Sequence, residues 1–260
     1  MPMLDVGDSS LFYTIKGKGT PIIFIHPPVL TSLNFKYQIE ELSPFFKVVT
    51  FDIRGHGKSH HSKAVVTYPL IANDIIQLMD HLEISKVYIC GYSSGGSIVL
   101  EFLQSHADRA LGGIVIGGMS ELRQWYLRGL IKMAASLASM GAVPLLAWAG
   151  ALSNAPTREL FRDLFNASKR GHSDNIEQYY RYILEYNCTD QLGSISHPIL
   201  LIYGKRDKAF HYYAKLMHTK LPNNELVLIH EVMHQIPTKA AVAVNFLIKD
   251  FTLMVDQYLE

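Results

Sequence analysis

The sequence predicts an α/β domain with a doubly wound, mostly parallel sheet and one helical insertion. Two features of the 260-residue chain indicate this class. Short, nearly continuous apolar runs alternate with segments of helical period, as in parallel sheets that are covered by helices on both faces. One long stretch, residues 120–191, contains no strand-like run. We therefore predict a core domain formed by residues 1–119 and 192–260, with residues 120–191 as a helical cap.

The apolar runs and the capping residues place the elements in chain order. The predicted strands are residues 11–15, 21–25, 47–51, 87–90, 111–116, 199–203 and 225–229. Helices are predicted over residues 32–42, from 69 onward, after the strand at 87–90, over 212–219 and from 238 onward. Ser32 is the predicted N-cap of the first helix. Pro144 and Pro156 divide the insertion, which is rich in aromatic residues.

Composition excludes several classes of protein. A net charge of +1 and a charged fraction of 18% argue against a surface that binds nucleic acid. Two cysteines, Cys90 and Cys188, are too few for a disulfide framework. Residues 1–16 lack the basic and apolar regions of a signal peptide, so a cytoplasmic location is expected.

One segment has the length of a membrane span. Residues 133–152 carry no charged side chain. However, Gly141 and Pro144 interrupt the segment, and Ser136 and Ser139 lie in its first half. We therefore expect two short helices and no stable membrane span.

The main chemical motif lies between a predicted strand and a predicted helix. Gly91-Tyr92-Ser93-Ser94-Gly95 has the pattern G-x-S-x-G, which is typical of a nucleophile elbow. A serine hydroxyl attacks a carbonyl carbon well only on a sharp turn, beside a base and facing amide donors. The flanking glycines allow the strained backbone of such a turn. The motif predicts that Ser93 is a nucleophile.

Further motifs resemble the α/β-hydrolase family. The turn Gly204-Lys-Arg-Asp207, His234 before the last helix, and the loop Asp52-Ile-Arg-Gly-His-Gly-Lys-Ser59 are similar to that family's pattern. The resemblance covers nearly the whole chain, and the insertion stands where family members carry a cap. It implies the order Ser, Asp, His, with Ser93 as nucleophile, His234 as general base and acid, and Asp207 as the carboxylate that orients it.

The positions of Ser93, Asp207 and His234 in the chain are compatible with one shared site. All three follow predicted strands of a doubly wound sheet, so they can meet at its carboxyl edge. Two alternatives stay open: Glu121 for the carboxylate and His230 for the imidazole. No cofactor is expected. The pair His60-His61 has no spaced carboxylate or cysteine partner, so no metal site is expected either.

The chain departs from the family at its oxyanion loop. The family usually has His-Gly-x, in which x donates a backbone amide, whereas this chain has His26-Pro27-Pro28. Proline has no amide hydrogen, so Pro28 cannot donate. We expect the Ser94 amide to serve as one donor and the Val29 amide as the other.

These features indicate a small-molecule substrate. The residues expected to form an apolar pocket and lid are Leu30, Tyr92, Trp125, Met140 and Trp148. Such a pocket favours a small to medium, mostly apolar and uncharged carboxylic ester, cleaved through an acyl-enzyme. The same three residues could also hydrolyse C–C bonds, thioesters or lactones, or support perhydrolysis. A slow-turnover receptor or lyase on the same fold is the alternative from a different class.

Overall fold

The centre of the computed structural model, which describes residues 2–259, is one eight-stranded sheet. Its strands are β1 Met3–Asp5, β2 Ser10–Lys16, β3 Pro21–Ile25, β4 Lys47–Phe51, β5 Val87–Tyr92, β6 Ala110–Ile116, β7 Ile199–Gly204 and β8 Asn224–Ile229. Their order across the sheet is β1-β2-β4-β3-β5-β6-β7-β8. The pairs β1–β2 and β2–β4 are antiparallel, and all other neighbours are parallel. The predicted doubly wound, mostly parallel sheet is confirmed.

Ten α-helices accompany the sheet within the described residues. They are α1 Lys36–Leu42, α2 Tyr68–His81, α3 Ser94–Ser105, α4 Trp125–Ser139, α5 Val143–Asn154, α6 Arg158–Ser168, α7 Ser173–Glu185, α8 His211–Lys220, α9 Ile236–Lys239 and α10 Ala241–Leu259. Helices α2, α3 and α8 contribute to the apolar cluster on one face of the sheet, and α1 and α10 contribute to the cluster on the other.

Two details differ from the predictions. Strand β1 is not among the predicted strands, because three residues at the edge of the sheet form no apolar run. The first predicted helix starts as a short 3-10 turn, which is capped by Thr31 and not by Ser32. The Thr31 hydroxyl accepts the Leu33 amide at 3.3 Å, whereas the Ser32 hydroxyl donates to Asp52 at 2.6 Å.

Strand β3 illustrates why the central strands are apolar throughout. Ile23 and Ile25 belong to the core cluster on one face of the sheet, whereas Ile22 and Phe24 belong to the cluster on the opposite face. Because alternate side chains point to opposite faces, a strand covered on both sides needs a continuous apolar run. The parallel strands β3 to β8 all end at the same edge, and the loops that leave that edge carry the predicted site.

Helices α4 to α7 form the insertion between β6 and β7. An antiparallel bridge between Glu121 and Asn187 joins the two ends of the insertion. Its inner side packs on the loop after β3, where Val29 contacts a cluster that includes Ala138, Val143 and Ile176. The domain boundaries at residues 120 and 191 stay a prediction.

The uncharged segment 133–152 spans parts of two helices. Helix α4 ends at Ser139, Gly141 adopts a φ of +75°, and Pro144 lies in the first turn of α5. In the part of the chain that the structure describes, no helix is long and apolar enough to span a membrane.

Candidate active site

Ser93 stands on a strained turn between β5 and α3. Its backbone has φ 55° and ψ −122°, a region that residues with a side chain rarely adopt. Its amide donates to the Ile116 carbonyl at 2.8 Å. A Cβ atom on Gly91 would lie 2.1 Å from the Gly95 carbonyl oxygen, and one on Gly95 would lie 2.2 Å from that of Ile25. Only glycine fits at these two positions, which explains the G-x-S-x-G pattern.

A chain of hydrogen bonds links Ser93 to His234 and Asp207. The Nε2 atom of His234 lies 3.0 Å from Ser93 Oγ, and its Nδ1 atom lies 2.7 Å from Asp207 Oδ2. A carboxylate only accepts, so Nδ1 carries the hydrogen and Nε2 accepts the serine hydroxyl. Asp207 is buried, and the turn after β7 fixes it through its own amide, which donates to the Gly204 carbonyl at 3.0 Å.

Three neighbours hold the His234 ring. The Phe210 ring lies 4.1 Å from it, centroid to centroid, and the Tyr92 ring lies 5.4 Å away. On a third side, a Cβ atom on Gly117 would lie only 3.0 Å from His234 Cε1. Phe210 and Gly117 are not among the site residues predicted from the sequence. Their positions in the sequence could have indicated them, since Gly117 follows β6 directly and Phe210 lies three residues after Asp207.

The two alternative residues lie elsewhere. The Glu121 carboxylate accepts hydrogen bonds from Tyr212 at 3.2 Å and from Asn187 at 3.4 Å. The Nε2 atom of His230 lies 3.4 Å from the Lys205 ammonium, and His230 lines a separate groove beside β8. Neither residue shares a hydrogen bond with Ser93 or Asp207 among the described residues.

His26 organises the loop after β3. Its Nε2 atom accepts the Ile53 amide at 2.9 Å, so its hydrogen is on Nδ1, which donates to the Pro27 carbonyl at 2.9 Å. Burial lowers the pKa of His26 from 6.5 to about 4. The His26 carbonyl accepts the Tyr179 hydroxyl at 3.1 Å, and the Ser94 hydroxyl donates to Tyr179 at 3.4 Å. The loop, the elbow helix α3 and the insertion are thus held by one network.

The loop after β4 is also held by internal hydrogen bonds. Asp52 accepts the backbone amides of Ser32 and Lys58, both at 2.9 Å. Arg54 is buried and forms a bidentate ion pair with Asp74, with both N–O distances at 2.7 Å. These contacts fix the shape of the loop that the motif D-x-R-G-x-G-x-S forms.

Val29 follows the two prolines in an unusual conformation. Its φ is +68°, in the left-handed region, and its buried side chain packs on the insertion. Among the described residues, its amide donates to no protein acceptor. A left-handed residue with a branched side chain is strained by about 1–2 kcal/mol, so the packing of the side chain must hold it there.

A cavity of about 260 Å³ lies above Ser93. Besides Ser93 and His234, the residues that line it are Pro27, Pro28, Ser94, Met119, Leu122, Leu127, Leu130, Ile131, Tyr180, Ile183 and Phe210. The described lining residues include no lysine, arginine or carboxylate. Larger depressions of about 410 and 950 Å³ exist, but they lie away from the Ser93–His234 pair.

The five predicted pocket residues are not in this lining. Trp125 and Met140 are 84% and 79% exposed, and Trp148 is 48% exposed. The expectation that these residues line the pocket is wrong: α4 turns Leu127 and Ile131 toward the cavity and Trp125 to solvent, and α5 buries Ala147 and Ala151 but exposes Trp148. Leu30 is buried in the core, and Tyr92 supports His234 from behind while its hydroxyl donates to Asn154 at 3.2 Å.

The comparison with known proteins agrees with this architecture. The model of the alpha/beta hydrolase fold family matches residues 20–236, so the chain belongs to the alpha/beta hydrolase fold family. Among curated relatives, 3-oxoadipate enol-lactonase 2 of Acinetobacter baylyi is 25% identical over 214 residues, which are 78% of each chain.

Two solved structures show the likeness in three dimensions. An esterase from Thermogutta terrifontis is 22% identical with a TM-score of 0.84, and the match covers 95% of this chain and 94% of the esterase. The enol-lactonase from Burkholderia xenovorans LB400 is 21% identical with a TM-score of 0.85, and the match covers 97% of this chain and all of the enol-lactonase (100%). At these identities the structures establish a shared fold.

Proposed function

We propose that the protein is a serine hydrolase that cleaves small to medium, mostly apolar carboxylic esters through an acyl-enzyme. The observation that carries this proposal is the hydrogen-bonded chain Ser93–His234–Asp207 at the floor of an apolar cavity. A serine, an imidazole and a buried carboxylate in this order are the components of nucleophilic acyl transfer.

The geometry supports a two-step reaction. Ser93 Oγ attacks the ester carbonyl carbon while His234 Nε2 accepts its proton, and Asp207 stabilises the resulting imidazolium. When the tetrahedral intermediate collapses, the C–O bond to the alcohol breaks, and His234 returns the proton to the leaving alkoxide. A water molecule then attacks the acyl carbon with His234 as base. The carboxylic acid leaves, and the Ser93 hydroxyl is restored.

The proposal includes two amide donors for the oxyanion. Ser94 is the first residue of α3, where the helix dipole favours negative charge. Val29 is the second candidate, because Pro28 has no amide hydrogen and the Val29 amide has no acceptor among the described residues. A crystal structure with a phosphonate on Ser93 tests both donors. Each amide nitrogen should lie about 2.7–3.1 Å from the phosphonyl oxygen; a Val29 amide that points away would exclude it.

The cavity favours uncharged substrates of limited size. A volume of about 260 Å³ is at or below the lower end for sites that enclose drug-sized ligands. A substrate with a free carboxylate would be left without a cationic partner among the described lining residues, and burying such a charge is costly. Esters with short or medium acyl chains therefore fit this cavity better than long or charged ones.

Lactone hydrolysis is the second candidate. The curated relative named 3-oxoadipate enol-lactonase 2 and the enol-lactonase structure favour this reaction, and a lactone is an internal ester that the same attack would open. Thioester or C–C bond hydrolysis and perhydrolysis need the same three side chains. A receptor or lyase with slow turnover would share the fold but would hydrolyse esters much more slowly than an esterase.

A substrate panel separates these functions. Nitrophenyl esters of increasing acyl length and a series of γ- and δ-lactones are compared by kcat/KM, with Ser93→Ala as the control. We expect the highest kcat/KM for short to medium uncharged esters, and a loss of at least about 1000-fold in Ser93→Ala. Lactones preferred more than about tenfold over every ester would establish the second candidate. No turnover of any compound would favour the receptor.

A further inference from the structure

Two consecutive helices of the insertion present large apolar side chains to solvent. These exposed side chains, which we call the apolar band, are Trp125, Tyr126, Leu130, Met133, Met140, Leu145, Trp148 and Leu152. Along α5, Leu145, Trp148 and Leu152 follow at intervals of three and four, so they share one face of the helix. Met140 lies between α4 and α5 and joins the two parts of the band.

Several of the fully buried residues of the same helices are alanines. Ala135 and Ala138 of α4 and Ala147 and Ala151 of α5 are buried. A helix at a water-exposed surface normally buries its large apolar side chains and exposes polar ones. Here large apolar side chains lie on both sides: Leu127 and Ile131 of α4 pack against the core, while Leu145, Trp148 and Leu152 of α5 are exposed. Large apolar side chains that are exposed together on two consecutive helices are typical of an interaction site.

Within the segment that forms the band, the charges are of one sign. Residues 122–158 contain no aspartate or glutamate, whereas Arg123, Arg128, Lys132 and Arg158 are all basic. Lys132 is exposed beside Met133, and no carboxylate lies within 4.0 Å of its ammonium group in the described part of the chain. Cations next to tryptophan and leucine are typical of helices that lie in the interface of anionic membranes.

The band is continuous with the cavity above Ser93. Leu130 is exposed in the band and also lines the cavity, and its neighbours Leu127 and Ile131 line the cavity as well. Helix α4 therefore has one edge in the band and another at the candidate active site. An apolar molecule that leaves a lipid layer at the band could reach Ser93 along this helix.

We propose that the apolar band docks the protein on the surface of lipid bilayers that contain anionic lipids. Trp125 and Trp148 would sit at the level of the headgroups, with α4 and α5 lying in the plane of the interface. The exposed Lys132 would contact lipid phosphates. This property goes beyond the proposed hydrolase activity, and it is measured without substrate turnover.

Intrinsic fluorescence gives a direct test, because both tryptophans of the chain lie in the band. We expect vesicles of phosphatidylcholine with about one-third phosphatidylglycerol to shift the emission to shorter wavelength, and brominated lipids to quench it. Vesicles of pure phosphatidylcholine should bind at least about tenfold more weakly. Absence of binding, or equal binding to both compositions, would overturn the proposal.

Variants test which surface of the protein contacts the vesicles. Vesicle flotation should show about tenfold weaker binding for the double variant Trp125→Ser/Trp148→Ser and also for Lys132→Glu. As controls, Phe246→Ser changes an exposed aromatic residue and Lys86→Glu changes an exposed lysine, both outside the band. These variants should bind like the wild type. Band variants that bind normally would contradict the proposal. So would a dimer of this chain that forms without lipid and dissociates in the same variants, because a second copy would then cover the band.

Discussion

The Tyr179 hydroxyl of the insertion donates a hydrogen bond to the His26 carbonyl at 3.1 Å, directly before the loop that faces Ser93. The same hydroxyl accepts the Ser94 hydroxyl at 3.4 Å. One buried tyrosine therefore contacts both backbone segments that carry the proposed oxyanion donors. The position of the insertion and the geometry of the candidate site are coupled through this contact.

Tyr179→Phe should weaken both stability and activity. The His26 carbonyl would lose a buried partner, which costs about 1–3 kcal/mol in the free energy of unfolding. A freer loop should lower kcat about tenfold with a smaller change in KM, because the donors act mainly on the transition state. Urea unfolding and steady-state kinetics measure the two effects. Tyr182→Phe is the matched control, since the Tyr182 hydroxyl has no hydrogen-bond partner among the described residues. Identical behaviour of the two variants would mean that the Tyr179 hydroxyl does not position the loop.

Gly117→Ala should displace His234. The added Cβ would lie 3.0 Å from His234 Cε1 and 3.2 Å from Nδ1, so the ring must move. A misplacement of about 1 Å can reduce the rate about 100-fold, so for this smaller shift we expect kcat/KM to fall about tenfold. Gly141→Ala is the matched control, because Gly141 also has a positive φ but no atom within 4 Å of the added Cβ. Both variants should lose similar stability, and only Gly117→Ala should lose activity. Equal activities would contradict the tight packing around His234.

Ser93→Gly should stabilise the protein relative to Ser93→Ala while both variants are inactive. The φ of 55° at Ser93 strains any residue with a Cβ, and glycine removes a strain of about 1–3 kcal/mol. Part of this gain is lost to the greater freedom of glycine in the unfolded chain, so we expect a net gain of about 1 kcal/mol. Thermal or urea unfolding of the two variants measures it. If Ser93→Ala were the more stable variant, the turn would not be strained.

Acidification should destabilise the fold through His26 and His56. Burial lowers the pKa of His26 to about 4 and, together with the charge of His26, that of His56 to about 3, from an ordinary value of 6.5. Below about pH 6.5 the unfolded chain therefore binds protons at these histidines, whereas the folded protein does not. Each histidine should lower the free energy of unfolding by about 2 kcal/mol between pH 7 and pH 5.

The variant His56→Asn isolates one of these contributions. An asparagine amide can still donate to the Arg54 carbonyl, which His56 Nδ1 contacts at 2.9 Å, but it cannot take up a proton. The loss of stability between pH 7 and pH 5 should shrink by about 2 kcal/mol in this variant. His60→Asn changes an exposed histidine of the same loop and serves as the matched control. An unchanged slope in His56→Asn would mean that His56 is not buried in its neutral form.

The sequence predicted those parts of the structure that depend on local patterns. Ser93, Asp207 and His234 each follow an apolar strand, and parallel strands end at one edge, so their convergence could be expected without coordinates. Glu121 and His230 also follow strands, and only the three-dimensional arrangement distinguishes them. Their partners, Tyr212 and Lys205, are set by packing between distant segments.

The orientation of the insertion helices could not be predicted. Helix α5 is apolar nearly all round, so its sequence does not show which face is turned inward. That choice depends on contacts of Ala147 with distant residues such as Val29. Trp148 was therefore expected in the pocket but lies on the outside. Trp125 of α4 also lies on the outside, while the cavity is lined by Ile131 and Ile183.

The most direct test of the central claim is labelling of the wild-type protein with a fluorophosphonate, followed by peptide mass spectrometry. Ser93 Oγ lies 3.0 Å from His234 Nε2 and opens into the cavity, so we predict one adduct per chain, on the peptide that contains Ser93. The adduct should be absent from Ser93→Ala. A stable adduct on another residue, or ester hydrolysis that continues in a protein fully labelled at Ser93, would contradict the account.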